Sequence, residues 1–153
     1  MDTTRPETIH YKQSRFSSRL PVDRLYSPAH YWIAEVEPGV WRVGFTKFAT
    51  RMLGDVVEYG FNVKSGDTVE TGQAIAWVEG FKALTEIYCV VAGEFTGVNP
   101  RLDEDITRID SDPYVHGWLY QVRGTPDPQS VDVHGYMALL DATIERMLEK
   151  QAE

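Results

Sequence analysis

Alternating hydrophobic and polar residues from Tyr31 onwards predict a protein built mainly of β-strands. The segments YWIAEV (31–36) and VWRVGF (40–45) carry apolar side chains at every second position, as half-buried strands do. Glu37-Pro38-Gly39 lies between them and is typical of a tight turn. The residues expected on one buried face of this pair are Trp32, Ala34, Val36, Trp41, Val43 and Phe45.

Four further stretches fit a strand. Residues 57–63 alternate strictly and run into a turn, which predicts a half-buried strand. The apolar runs 74–78, 84–91 and 117–122 are of strand length. The side chains of the first stretch that we expect to face inwards are Val57, Tyr59, Phe61 and Val63.

A short helix is predicted where the alternation breaks, at residues 46–53. Thr46 is a favourable N-cap and Gly54 a favourable end, because a threonine oxygen accepts a free helix N–H and glycine adopts the left-handed backbone after the last turn. Phe48 and Met52 are four residues apart, so we expect both on the buried side.

Two more helices follow later in the chain. Asn99-Pro100 predicts the start of one that ends before Pro113, and the Pro-rich segment 125–130 is a linker to a terminal helix packed on the core. The helix predicted to start at Asn99-Pro100 has Leu102, Ile106 and Ile109 on one face. The terminal helix has Met137, Leu140, Ile144 and Met147 or Leu148 on its apolar stripe.

Composition narrows the class of protein. With 153 residues, 42% of them hydrophobic, the chain fits one domain with its own core, and the formal net charge of −8 argues against nucleic-acid binding. No apolar run approaches the roughly 18 residues that span a bilayer, and no secretory signal is visible. Cys89 is the single cysteine, so we expect no intramolecular disulfide and a cytoplasmic protein. The four histidines have no metal-ligand spacing, so we expect no metal. We also expect no membrane partner.

The first 25 residues differ from the rest in charge. Residues 1–25 carry five basic and three acidic side chains, although the whole chain is acidic. We interpret them as a flexible, mildly basic extension. A mitochondrial transit peptide is an alternative, but the acidic residues weigh against it.

Lys82 lies in EGFKALTEIY (79–88), where an apolar run changes direction. A lysine on a surface turn is usually only solvated. The surroundings change this interpretation, because GDTVETGQAIAWVEGFKA (66–83) resembles the attachment segment of lipoyl domains, with a glycine turn, a strand ending in an acid and a lysine at a hairpin tip. Gly66 lies sixteen residues before Lys82 and Gly93 eleven after it, which is the spacing of that family.

The wider resemblance is to H-protein-like lipoyl carriers, over about residues 26–148. The similar blocks, in the family's order, are residues 30–32, 44–55, 79–94 and 112–119. The resemblance implies a mainly β, lipoyl-domain-like fold, a barrel-sandwich hybrid of antiparallel sheets with short helices and a C-terminal helix. It divides the chain into an N-terminal extension (1–25), a carrier domain (26–124) and a linker with the docked helix (125–153).

The resemblance also implies the function of a carrier that has no catalytic activity of its own. Lipoate would be joined by an amide to Lys82, and its dithiolane would carry a bound group between enzymes on a swinging arm. The flanking site residues are Glu79, Gly80, Phe81 and Ala83. Glu79 would guide the modifying enzyme or only keep the hairpin soluble, and we expect Gly80 to help the backbone turn.

The tip departs from the usual Glu-Ser-Val-Lys-Ala of H proteins, because Gly80 and Phe81 replace the serine and valine. With the basic extension and the long final helix, this favours the lipoate-binding proteins that serve a heterodisulfide-reductase-like complex in sulfur oxidation. The alternative is the H protein of the glycine cleavage system, which carries the aminomethyl group. A biotin carrier is a third, weaker interpretation, because biotinyl domains resemble Met-Lys-Met at the tip. The expected partners are lipoate-attaching enzymes and the enzymes of either system, and we expect a monomer.

Other residues have two interpretations each. Cys89, seven residues after Lys82, would exchange with the arm's disulfide or would be a small buried hydrophobe, the commoner case. His30 and Trp32 match a family block, but a core tryptophan on a strand is the simpler interpretation. The remaining set is expected to stabilise a turn rather than to catalyse: Asp112, Tyr114 and His116.

Overall fold

The computed structural model describes residues 5–152. The strands are β1 (Thr8–Gln13), β2 (Phe16–Pro21), β3 (Leu25–Tyr26), β4 (Tyr31–Glu37), β5 (Val40–Phe45), β6 (Val56–Phe61), β7 (Thr68–Val69), β8 (Ala74–Gly80), β9 (Leu84–Tyr88), β10 (Val91–Val98) and β11 (Tyr120–Pro126). The helices are α1 (Lys47–Leu53), α2 (Arg108–Ser111) and α3 (Val133–Ala152), with a 3-10 helix at Pro100–Asp103. The prediction of a mainly β protein with short helices and a C-terminal helix is confirmed.

Two antiparallel sheets enclose the main core. One has six strands in the order β3-β4-β5-β11-β10-β7, and the other has three in the order β6-β8-β9. Ile33 and Val43 from the first sheet and Val78 and Ile87 from the second are each fully buried in the same cluster. Strands β8 and β9 of the smaller sheet form a hairpin with Lys82 in its turn, called the lysine hairpin below. The buried face of this sheet fixes the hairpin to the core.

A second core lies on the other face of the six-stranded sheet. Trp32 and Phe48 pack there with Leu20 from β2 and with Tyr136 and Leu140 from α3. Strand β4 is therefore buried on both faces, with Ile33 in one cluster and Trp32 in the other. The prediction of one buried face is wrong for this strand, and Val36 is 43% exposed near its end.

The prediction of a flexible N-terminal arm is wrong for the described residues. Strands β1 and β2 pair along their whole length, from Thr8 with Pro21 to Gln13 with Phe16. Tyr11 is 3% exposed, and its hydroxyl donates a 2.8 Å hydrogen bond to Asp141 on α3. The hairpin is folded because α3 supplies the apolar surface on which it packs.

The helices confirm some predicted residues and correct others. The Thr46 side chain accepts a hydrogen bond from the N–H of Ala49, and α1 ends at Gly54 with φ 75°, as predicted. Phe48 is buried, but Met52 is 51% exposed. Met52 lies on the solvent side of the last turn of α1, whereas its neighbour Leu53 is 4% exposed and packs in the main core.

The single helix predicted after Asn99 is wrong, because the chain forms a 3-10 turn and then α2. The Asp105 carboxylate accepts from the N–H of Thr107 at 3.1 Å and so starts a new turn between them. Leu102 and Ile109 are nevertheless buried, as the spacing predicted.

Strand β6 begins with a bulge that reverses part of the expected pattern. The pairing with β8 shifts between Val56 and Glu58. Val56 is therefore buried and Val57 is 49% exposed, which corrects the prediction for Val57.

Helix α3 docks on the second core as predicted. Its buried residues are Val133, Tyr136, Leu140 and Ile144. Across residues 5–152, no helix has the length and apolar character needed to cross a membrane.

Candidate functional site

Lys82 lies at the tip of the hairpin formed by β8 and β9. The turn is closed by a 2.8 Å hydrogen bond from the N–H of Gly80 to the carbonyl of Ala83. Phe81, Lys82 and Ala83 are all exposed, Phe81 to 79%. The lysine amine is therefore accessible to another protein.

The tip is held in position by the corner that follows α1. The N–H of Lys82 donates to the carbonyl of Leu53 at 2.8 Å, and the N–H of Phe81 donates to that of Asp55 at 3.0 Å. The Lys82 ammonium reaches the carbonyl of Arg51 at 3.3 Å. These bonds fix the base of the lysine side chain relative to the core, while its amine stays at the surface.

Gly80 has a different role from the expected one. Its φ angle is not in the left-handed region, so the turn itself does not require glycine. A β-carbon at Gly80 would overlap the carbonyl of Leu53, so glycine is required for the close contact between hairpin and α1.

Gly54 is a site residue that the sequence indicated only as a helix end. A β-carbon there would lie 3.0 Å from Cγ of Lys82 and 3.3 Å from the backbone nitrogen of Lys82. Its contact with Lys82 comes from tertiary packing, for which the sequence holds no signal.

The outer face of the small sheet is acidic and aromatic. Glu79 is exposed and pairs directly with Glu58 across β6 and β8, and Trp77 pairs with Glu86 across β8 and β9. Within residues 5–152, none of these carboxylates has a basic partner at ion-pair distance. Like charges directly opposite each other on antiparallel strands are destabilising.

An apolar cleft of about 340 Å³ opens beside the hairpin. Its walls come from the lysine hairpin, from α1 and from the start of β4. The lining residues are Ala29, His30, Tyr31, Phe45, Phe48, Ala49, Met52, Leu53, Ala83, Thr85, Glu86 and Tyr88. Glu86 is the carboxylate in this lining, and it accepts a 2.9 Å hydrogen bond from the Tyr88 hydroxyl.

Cys89 is fully buried, and its thiol donates to the carbonyl of Val91. Burial raises the pKa of the Cys89 thiol. A buried thiol with a raised pKa is a poor nucleophile. The structure therefore supports the interpretation of Cys89 as a small core residue.

His30 lines the cleft, whereas Trp32 is buried in the second core. Trp32 is 2% exposed and donates to the carbonyl of Pro113 at 2.9 Å, which fits a core tryptophan. The His30 ring lies 2.9 Å from the Tyr136 hydroxyl, and burial lowers the pKa of His30 to about 4. His30 is therefore neutral near pH 7.

Asp112, Tyr114 and His116 form a structural turn. The Asp112 carboxylate accepts from the His116 ring and from Arg5, and these bonds lower its pKa although burial alone would raise it. The Tyr114 hydroxyl accepts from the N–H of Lys47 at the start of α1. Asp112 and His116 bond to each other, whereas the Tyr114 hydroxyl contacts α1, so the three side chains do not converge on one point. Among the described residues, no group of three or more His, Cys, Asp and Glu side chains could hold a metal ion.

Comparison with known proteins gives the family. Residues 24–143 match the family described as glycine cleavage H-protein. The glycine cleavage system H protein of Corynebacterium jeikeium is 39% identical over 122 residues, which cover 78% of this chain and 95% of the relative. That of Klebsiella pneumoniae is 34% identical over 127 residues, covering 81% and 98%.

A solved structure agrees in fold. The crystal structure of a glycine cleavage system H protein from Mycobacterium marinum matches with a TM-score of 0.69 and 32% identity, over 78% of this chain and 97% of that one. The expected lipoyl-domain-like fold is thereby confirmed. Glycine cleavage H proteins are carriers with lipoate covalently attached to a lysine. This chain belongs to the glycine cleavage H-protein family.

Proposed function

We propose that the chain is the H protein of a glycine cleavage system and carries lipoate on Lys82. The observation that carries this proposal is the exposed Lys82 at the tip of a hairpin whose backbone is bonded to Leu53 and Asp55. A modifying enzyme needs an accessible amine, and a carrier needs an arm that starts from a fixed point. Lys82 meets both requirements.

The lysine and its neighbours fit such a group. Lys82 projects from the tip with its amine at the surface, and Gly54 leaves room beside its side chain. When bound, lipoate supplies a disulfide that accepts a group, opens and closes again. The charge of the ammonium is lost in the amide, and its present acceptor, the carbonyl of Arg51, is suited equally to an amide N–H.

Flanking residues have separate proposed roles. Glu79 is three residues before Lys82 on the same hairpin and gives a modifying enzyme a negative charge to recognise. Phe81, exposed to 79%, provides an apolar contact for a partner beside the amine, and Ala83 keeps the cleft side of the tip small. Gly80 fixes the distance between tip and α1.

The cleft beside Ala83 provides a place where the cargo on the arm is sheltered from water. Its lining is mostly apolar, which suits an alkyl chain. Glu86 adds a carboxylate for a protonated amine, so a cleft of this kind fits an aminomethyl cargo.

The glycine cleavage system is the better-supported destination. The similar proteins bear glycine cleavage names, and the heterodisulfide-reductase-like complex gains no support from them. The altered tip residue Gly80, which had favoured sulfur oxidation, has a packing reason at Leu53. The proposed partners are lipoate-attaching enzymes and the glycine cleavage enzymes. The cytoplasmic location and the monomeric state stay predictions.

Intact-mass analysis after coexpression with a lipoate-attaching enzyme tests the attachment. We expect one lipoyl increment in the wild type and none in Lys82→Arg, which keeps the charge but offers no acylable amine. An increment that survives in Lys82→Arg, or no increment in the wild type, overturns the assignment of Lys82. The size of the increment also separates lipoate from biotin.

A second assay tests the destination. The lipoylated protein is mixed with glycine decarboxylase, pyridoxal phosphate and glycine labelled at its methylene carbon, since the carboxyl carbon leaves as CO2. We expect label on the arm and none on Lys82→Arg. A fully lipoylated protein that accepts no label from glycine contradicts the glycine cleavage assignment while leaving the carrier assignment intact.

A further inference from the structure

A groove of about 590 Å³ lies between the N-terminal hairpin, α1 and the end of α3. Its floor is apolar, with Phe16, Phe48, Ile144 and Met147, and Leu148 is 42% exposed at its side. The remaining lining residues are Gln13, Ser14, Arg15, Arg51, Met52 and Gln151. The proposed function makes no use of this groove.

The groove adjoins the cleft beside Lys82. Phe48 and Met52 line both cavities and form the wall between them. Arg51 lines the groove, and its carbonyl lies 3.3 Å from the Lys82 amine. Lys82 itself lines neither cavity, but its neighbour Ala83 lines the cleft, and Arg51, whose carbonyl is near the Lys82 amine, lines the groove, so a flexible group on Lys82 starts close to both.

The chain ends supply most of the groove. The match to the H-protein family covers residues 24–143, whereas the groove's two flanks come from residues 13–16 and 144–151. These flanks are ordered by the contacts of β1, β2 and α3 described above. The groove is thus an addition of this chain to the part it shares with the family.

Charge distinguishes the two cavities. The groove is lined by two guanidinium groups, Arg15 and Arg51, and by no carboxylate among the described residues, although the chain has a net charge of −8. The cleft is lined by Glu86 and, within residues 5–152, by no lysine or arginine. A protonated amine is repelled by the groove and attracted by the cleft. An uncharged alkyl chain with a dithiolane suits the groove, where the thioethers of Met52 and Met147 offer polarizable contacts.

We propose that this groove is a resting site for the unloaded lipoyl arm of Lys82, in its uncharged disulfide form. Burial of the alkyl chain against Phe16, Met147 and Leu148 holds the arm there. The arm leaves the groove when it carries a cationic cargo, because Arg15 and Arg51 oppose a positive charge. The inference rests on the proposed attachment of lipoate to Lys82.

Methionine methyl spectra test the proposal with internal controls. The chain has four methionines: Met1, Met52, Met137 and Met147. Met147 lines only the groove, Met52 lines both cavities, and Met137 lines neither. In protein labelled with [methyl-13C]methionine, we expect lipoylation to shift the Met147 and Met52 resonances and to leave that of Met137 unchanged.

A matched pair of variants locates the arm. Leu148→Lys replaces an apolar contact of the arm by a solvated ammonium group, and we expect it to abolish the shift of Met147 on lipoylation. Ala142→Lys adds the same charge at an exposed position of α3 outside the groove lining, and we expect it to keep the shift. We also expect a phosphine to reduce the dithiolane faster in Leu148→Lys than in Ala142→Lys.

The outcomes separate the two proposals. If the intact mass shows no lipoyl increment, the proposed function fails. If the protein is fully lipoylated and Met147 does not shift, the groove proposal is wrong and the carrier assignment stands. A shift of Met52 without Met147 places the unloaded arm in the cleft and likewise overturns the groove.

Discussion

The backbone of Gly80 lies against the carbonyl group of Leu53, so closely that a β-carbon at residue 80 would overlap the oxygen. This contact joins the lysine hairpin to the end of α1. It brings the N–H of Lys82 to 2.8 Å from the same carbonyl. The lack of a β-carbon at residue 80 therefore permits the close contact that sets the position of Lys82.

Gly80→Ala is expected to separate the tip from α1. Overpacking in a close contact costs about 1–3 kcal/mol of unfolding free energy, and the bond from Lys82 to Leu53 lengthens. Urea unfolding and amide hydrogen exchange at Lys82 measure the two effects. The control is Gly72→Ala, since a β-carbon there meets nothing and only its φ of 90° causes strain. Unchanged exchange at Lys82 in Gly80→Ala contradicts the explanation.

Glu79→Gln and Glu58→Gln are expected to separate recognition from stability. The two carboxylates are paired across β6 and β8, so either change removes the same repulsion and raises the unfolding free energy by about 0.5 kcal/mol. The rate of lipoylation is expected to fall only in Glu79→Gln. Equal rates of lipoylation in both variants mean that the modifying enzyme does not recognise Glu79.

His30 is expected to make the fold sensitive to mild acid. Burial lowers the pKa of His30 from 6.5 to about 4, so the unfolded chain binds the proton first as the pH falls. The stabilising effect of a neutral His30 is complete above pH 6.5 and is lost as the pH falls towards 4. The loss at pH 5 is about 2 kcal/mol relative to pH 7.5.

Urea unfolding of the wild type and of His30→Asn at both pH values measures the His30 contribution. Asparagine tolerates the φ of 71° at this position. The difference in unfolding free energy between pH 7.5 and pH 5 is expected to be smaller in the variant, and an equal difference in both proteins contradicts the prediction.

Leu20→Ala is expected to destabilise the protein by about 2–4 kcal/mol, because a fully buried leucine is cut back in the second core. Arg19→Ala, its exposed neighbour on β2, is the control and is expected to change the unfolding free energy little. A flexible N-terminal arm would give no loss in either variant, so thermal or urea unfolding decides between the two descriptions.

Cys89 is expected to be unreactive in the folded protein, since its thiol is fully buried and its pKa is raised by burial. A chromogenic thiol reagent is expected to react at once in urea and very slowly without it. Turnover of the lipoylated carrier by its partner enzymes is expected to be unchanged in Cys89→Ser. Loss of turnover in a stably folded variant contradicts this prediction and supports thiol–disulfide exchange between Cys89 and the arm.

The sequence by itself determined the parts of this protein that depend on local pattern. Alternation predicted the strand around Trp41, and an apolar run of strand length predicted the strand around Ile87. The Thr46 cap and Gly54 predicted α1, and the apolar stripe with Leu140 predicted α3. Lys82 and its spaced glycines predicted the carrier family. These features depend on residues close in the chain or at a fixed separation.

Only the tertiary structure decided which surfaces meet. The N-terminal hairpin looked like a polar extension because its apolar residues, among them Tyr11 and Leu20, are few, and they are buried only when α3 is present. The position of Gly80 next to the turn predicted a turn residue, but in the folded protein glycine is required there by the close approach of the Leu53 carbonyl. Met52 was assigned to the core from its spacing, but it is exposed and its neighbour Leu53 takes the buried position in that turn of α1. Burial and close approach are set by partners distant in sequence, so periodicity within one segment does not determine them.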